Sequence, residues 1–140
     1  MAAGRGCRVV APTFPLPEMK DSVAAGLAYV MAEFAPADND VWLVAPADLP
    51  RLSSDVVSRL LNEGRLRPGQ IMVPVCGGRR GHPVLFPWSL AAEVARLGPS
   101  EGINALLRAQ AVCELASGPE ALPRDCDTPA DFLRLCEGND

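Results

Sequence analysis

Apolar residues fall into short runs that alternate with stretches of helical period, and that alternation predicts an α/β fold. Arg8-Val9-Val10-Ala11 reads as a first short strand, closed by the turn-prone stretch 12–17. A helix follows over Asp21–Phe34, with Val23, Leu27, Val30 and Phe34 on one face and Asp21 or Ser22 as its cap. The linker 35–39 leads into Val41-Trp42-Leu43-Val44-Ala45, a continuous apolar run that suits a central strand buried on both faces. Ser53 or Ser54 caps a second helix carrying Val56, Val57, Leu60 and Leu61, with Gly64 as its expected stop.

The next strand is Ile71–Val75, where Pro74 argues against a fully paired central position. A glycine- and arginine-rich loop spans 76–81, and Pro83-Val84-Leu85-Phe86 returns as an extended segment. Helical patterns occupy 90–97 and 101–109, a late strand Val112–Ala116, and a loop Pro119–Pro123. Thr128 as N-cap, Pro129 at the first helical position and Asp131 at the third mark the start of a final helix.

A chain of 140 residues suits one domain, 1–140, and 49% hydrophobic residues suffice for a sizeable core. The net charge of −4 offers no electrostatic footprint for nucleic acid or an anionic membrane, so neither is an expected partner. The five cysteines are odd in number and irregular in spacing, and they form no C-x-x-C pair. Reduced, mostly buried thiols in a cytoplasmic protein are expected rather than a disulfide framework or a zinc site.

Three places could carry chemistry. Ala47-Asp48-Leu49-Pro50 comes directly after a predicted strand, and ligands of open α/β sheets bind beyond the carboxyl ends of strands. Asp48 is placed to hold a hard cation there, or simply to make an Asx-turn. Asp125 and Asp127 precede the final helix, where one acid can face a site or both can serve the helix dipole. Gly77-Gly78-Arg79-Arg80-Gly81-His82-Pro83 combines glycines that permit close approach with arginines that can grip phosphate. A tight hairpin would explain the same glycines without a ligand.

Taken in order, these places resemble one family. The run 73–86, VPVCGGRRGHPVLF, is similar to the VPxxxGxRGHPVLF stretch of molybdenum cofactor cytidylyltransferases and their MobA-like relatives. Val44 to Pro50 resembles the family's strand ending in G-D-x-P, and Asp125 to Phe132 its D-x-D-T-P-x-D segment. Residues 18–27 resemble the GMxxSLxAGL segment that opens a helix. The resemblance runs from about Cys7 to Leu135.

The resemblance implies a three-layer α/β/α sandwich with a mostly parallel sheet, of the nucleotide-diphospho-sugar transferase type. It implies Mg²⁺-dependent transfer of a nucleoside monophosphate from an NTP (CTP or GTP) to a phosphorylated acceptor such as molybdopterin, releasing pyrophosphate. Asp48 and Asp127 would be the catalytic, metal-binding carboxylates. Arg80, Gly81, His82 and Pro83 would shape the acceptor side, and Ser22 would lie near the phosphates.

The sequence departs from the family at several points. The G-D-x-G-A-R stretch corresponds to residues 98–104 without its aspartate or arginine, and Ala47 replaces the glycine of G-D-x-P. Residues 2–8 resemble the family's LAAGxSxRMG loop on their face, but the next lysine, Lys20, already belongs to the later Met19 segment, so the first strand-loop-helix unit is expected to be missing, the alternative being a genuine loop followed by an internal deletion. A catalytically inactive fragment or pseudoenzyme of the same fold is therefore the alternative reading. An uncovered sheet would favour self-association.

Overall fold

A computed structural model of the chain describes residues 6–12, 15–47, 49 and 52–121. The main elements run α1 (Met19–Phe34), β1 (Val41–Val44), α2 (Ser54–Leu66), β2 (Ile71–Cys76), β3 (Arg79–Arg80), β4 (Val84–Pro87), α3 (Ala91–Val94), α4 (Asn104–Ala109) and β5 (Val112–Ala116). Short 3₁₀ turns at Trp88–Leu90 and Pro119–Ala121 complete them. No helix among the described residues is long and apolar enough to cross a membrane.

β2 is the hub of the sheet. It pairs in parallel with β5 along its length and antiparallel with β3 and β4 on its other side. β4 in turn pairs antiparallel with β1. Strands β1, β2 and β5 therefore point the same way, with β4 laid antiparallel between β1 and β2. Proline at 74 removes one donor, but its carbonyl still accepts from the Gly81 N–H at 2.8 Å. β2 is thus central despite Pro74, because packing on both faces outweighs one lost ladder bond.

The register sorts side chains onto two faces, and each face carries its own core. One face presents Trp42, Ile71, Val73, Val84 and Phe86 to α1, α3 and α4 through Leu27, Val94 and Leu106. The opposite face presents Met72 and Leu85 to Val56 and Leu60 of α2. The chain is an α/β/α sandwich. Phe86 is fully buried and stacks on Trp42 with ring centroids 4.4 Å apart. Such a stack adds about 0.5–1.5 kcal/mol beyond the area it buries.

Several sequence expectations are corrected. Residues 8–11 form no strand: Val9 is 66% exposed, and no strand among the described residues pairs with the segment. An extended segment without a neighbour leaves its backbone groups to water. α1 begins earlier than Asp21, at Met19, because Glu18 is its cap. The Asp21 carboxylate accepts from the Glu18 N–H at 3.2 Å, so Asp21 serves the cap from the third helical position.

β1 is not buried on both faces as its apolar run suggests: Val41 is 39% exposed, Leu43 and Val44 are half-buried, and among the described residues the strand pairs on one side only. Ser53 does cap α2, its side chain accepting from the Val56 N–H at 3.3 Å. Gly64, however, lies inside the helix, which runs on to Leu66. It is buried there, and a Cβ would stand 3.1 Å from a Leu85 methyl, so its role is close packing. The segments 90–97 and 101–109 are helical only in part, over Ala91–Val94 and Asn104–Ala109. Cys7 is exposed and Cys76 and Cys113 are half-buried, all three free, so the described thiols are less buried than expected. The predicted final helix lies outside the described residues.

Candidate active site

The arginine-rich stretch forms the return arm of the sheet. Gly77 and Gly78 adopt φ of 57° and 77°, the pair of positive values that a two-residue hairpin turn with right-handed strand twist needs. The hairpin thus explains both glycines, but it leaves the Gly81–Pro83 turn unexplained. Arg80 pairs with Val75, and the chain then turns off the ladder through Gly81, His82 and Pro83, with a cis bond between the last two. The turn is anchored twice: Gly81 N–H donates to Pro74, and His82 N–H donates to the Ala121 carbonyl, both at 2.8 Å. Pro83 is fully buried beneath it.

This arm lines a cavity of about 350 Å³. Val73 and Val84 form its apolar floor, Arg80, Gly81 and His82 one wall, and Asn104, Leu107 and Arg108 of α4 the other. The cavity lies toward the carboxyl ends of β1, β2 and β5, the place where open α/β sheets receive ligands. Val84, which lines the cavity, is paired with Val44, the last residue of β1.

Of the residues expected at the site, Arg80, Gly81 and His82 meet at the cavity and Pro83 supports them from below. Ser22 does not line it; it is exposed on the first turn of α1. Asp48 and Asp127 lie outside the described residues, and among those residues no group of three or more His, Cys, Asp or Glu is placed to hold a metal ion.

Arg80 reaches sideways across β2. Its Nε and one terminal nitrogen both lie 2.8 Å from Glu114 Oε1 on β5. Register accounts for this: Arg80 faces Val75, Glu114 faces Val73, and all four side chains share one side of the sheet. Sequence reading missed Glu114, Asn104 and Arg108. The i, i+4 spacing of Asn104 and Arg108 puts them on one helix face, but nothing in the sequence says which cavity that face meets.

The model of the MobA-like NTP transferase domain matches residues 1–114. The chain belongs to that family. Among solved structures this MobA-like chain is similar to Rv0371c from Mycobacterium tuberculosis H37Rv, with 29% identity and a TM-score of 0.65. The match covers 81% of this chain and 59% of that one. It is also similar to the structure of Rv0371c in complex with manganese, with 28% identity and a TM-score of 0.62, covering 79% and 59% of the two chains. The chain thus spans about three fifths of the length of these relatives. Among curated proteins no relative matches the sequence.

Proposed function

We propose that this MobA-like domain is a nucleotidyltransferase of the molybdenum cofactor cytidylyltransferase type, transferring a nucleoside monophosphate from CTP or GTP to a phosphorylated acceptor such as molybdopterin. The observation that carries the reading is the Arg80-Gly81-His82 arm walling a cavity toward the carboxyl ends of the sheet, in a chain of this family. The manganese complex of Rv0371c supports a divalent cation in a relative, and for this chain the proposal is Mg²⁺.

Asp48 and Asp127 would hold that ion. When bound, it supplies charge that neutralises the triphosphate as negative charge moves toward the leaving group. In the transfer an acceptor phosphate oxygen bonds to the α-phosphorus, the bond between the α-phosphorus and the bridging oxygen breaks, and pyrophosphate departs with that electron pair. Little covalent help is needed from side chains, because positioning and electrostatics do most of the work. The Gly81–Pro83 turn, pinned through the Gly81 and His82 N–H groups, would shape the acceptor side.

The test is pyrophosphate release from CTP or GTP with molybdopterin and Mg²⁺ present. Asp48→Asn and Asp127→Asn should each lower turnover by about a hundredfold or more, the scale on which losing one electrostatic group in a transition state acts. No turnover together with no nucleotide binding would overturn the reading and leave a catalytically inactive member of the fold.

A further inference from the structure

The cavity beneath Gly81 and His82 holds two guanidinium groups of unlike standing. Arg80 is already matched, two of its nitrogens lying 2.8 Å from one oxygen of Glu114. Arg108, in the last turn of α4, is exposed and forms no ion pair among the described residues. It lines the cavity together with Asn104, one helical turn before it.

We infer that Arg108 receives an anionic group of the acceptor, a phosphate or carboxylate, with the Asn104 amide beside it. Four observations converge. Among the described residues, two arginines against one glutamate leave this corner one positive charge in excess. Its floor is apolar, through Val73 and Val84, and a charge beside low-dielectric walls acts more strongly than one in open water. A guanidinium offers parallel N–H donors that match two oxygens of one anion, and the amide adds a neutral donor.

Size is the fourth. At about 350 Å³ the cavity stands at the low end of the roughly 300–1,000 Å³ typical of small-molecule sites, so it takes a substituent of a larger ligand. Naming that ligand the acceptor rests on the transferase reading; the anion site itself rests on the geometry alone. A bare helix-capping role for Arg108, a cation against the α4 dipole, would affect stability and no ligand.

Inorganic phosphate is the probe, titrated into the full chain and followed by backbone amide resonances, with CTP titrated separately. In the wild type, phosphate should shift the amides of Gly81, His82, Asn104 and Arg108 saturably. Arg108→Gln should weaken that binding about tenfold or more, equivalent to about 1.4 kcal/mol, and leave CTP affinity unchanged. Arg96→Gln, which removes an exposed arginine paired with Glu93, should change neither. Phosphate binding that survives Arg108→Gln, or shifts that fall elsewhere, would overturn the site. An equal loss of phosphate and CTP would assign the cavity to the nucleotide and overturn the acceptor assignment. Phosphate binding that depends on Arg108, with no binding of CTP or GTP, would uphold the anion site and sink the transferase reading instead.

Discussion

Lys20 is 8% exposed, and its ammonium group donates to the carbonyl of Gly98, 78 residues further along the chain. Glu18 Oε2 lies 3.1 Å from the same nitrogen. The first turn of α1 is thereby stitched to the turn before α4, where Glu101 accepts from the Gly98 N–H at 2.8 Å. Replacing the donor by an apolar group leaves a partly buried carbonyl without its partner. Lys20→Met should therefore cost about 1.5–3 kcal/mol, the range for hydrogen bonds that involve a charged group. Urea unfolding should show a lower midpoint with an unchanged slope, and a wild-type midpoint would refute the stitch.

Arg80 and Glu114 are both about half exposed, at 48% and 51% of their side chains. An exposed pair contributes about 0–1 kcal/mol, so Arg80→Ala should move the unfolding free energy by less than about 1 kcal/mol. Its effect belongs to the ligand. Glu114→Gln frees the Arg80 guanidinium, and phosphate should then bind the cavity more tightly than in the wild type. Calorimetric titration of both variants separates stability from binding; weaker phosphate binding in Glu114→Gln would contradict a cavity in which Glu114 holds Arg80 back from the anion.

Three backbone positions make a matched set. Ala35 ends α1 with φ of 44° and ψ of 59°, a left-handed conformation in which a Cβ is a burden. Ala35→Gly should stabilise by about 0.5–1 kcal/mol. Gly26 sits inside α1 with open space where a Cβ would go, so Gly26→Ala should gain about 0.5–1 kcal/mol of helix propensity. Gly64 faces Leu85 at 3.1 Å, and Gly64→Val should lose about 1–3 kcal/mol to overpacking. Thermal unfolding of the three variants checks the signs, and stabilisation by Gly64→Val would be the outcome least compatible with the packing.

The side of β1 that is unpaired among the described residues adjoins a groove of about 630 Å³ formed with α1, in which Phe34 is 63% exposed and Val41 39%. Unpaired strand edges flanked by apolar surface promote association. Sedimentation velocity should show a concentration-dependent shift to larger species, and Val41→Lys should move it back toward monomer, since an edge lysine resists burial against a second strand. A wild type that stays monomeric at every concentration would rule out association through this edge.

Elements whose identity depends on local chemistry are legible in the sequence. The strand Val112–Ala116 has the bounds its apolar run gives it, Ser53 is the cap that its residue type suggests, and the Gly77-Gly78 pair has the composition of the hairpin it makes. The apolar run around Trp42 marks a strand but not its place in the sheet, because a buried central strand and a half-covered edge strand share the same residue types. Gly64 looks like a stop because its neighbour across the core, Leu85, is 21 residues away and invisible to any local pattern.

The candidate site divides in the same way. The sequence by itself determined the family, the order of its motifs and the presence of Arg80, Gly81 and His82, since these depend on residue type and spacing. Only the tertiary structure decided that Arg80 is matched by Glu114 across β2 while Arg108 of α4 faces the same cavity without an ion pair among the described residues. Register and helix docking bring these residues together from separate elements. Charge balance in a cavity is set by distance in space, and sequence separation carries no measure of it.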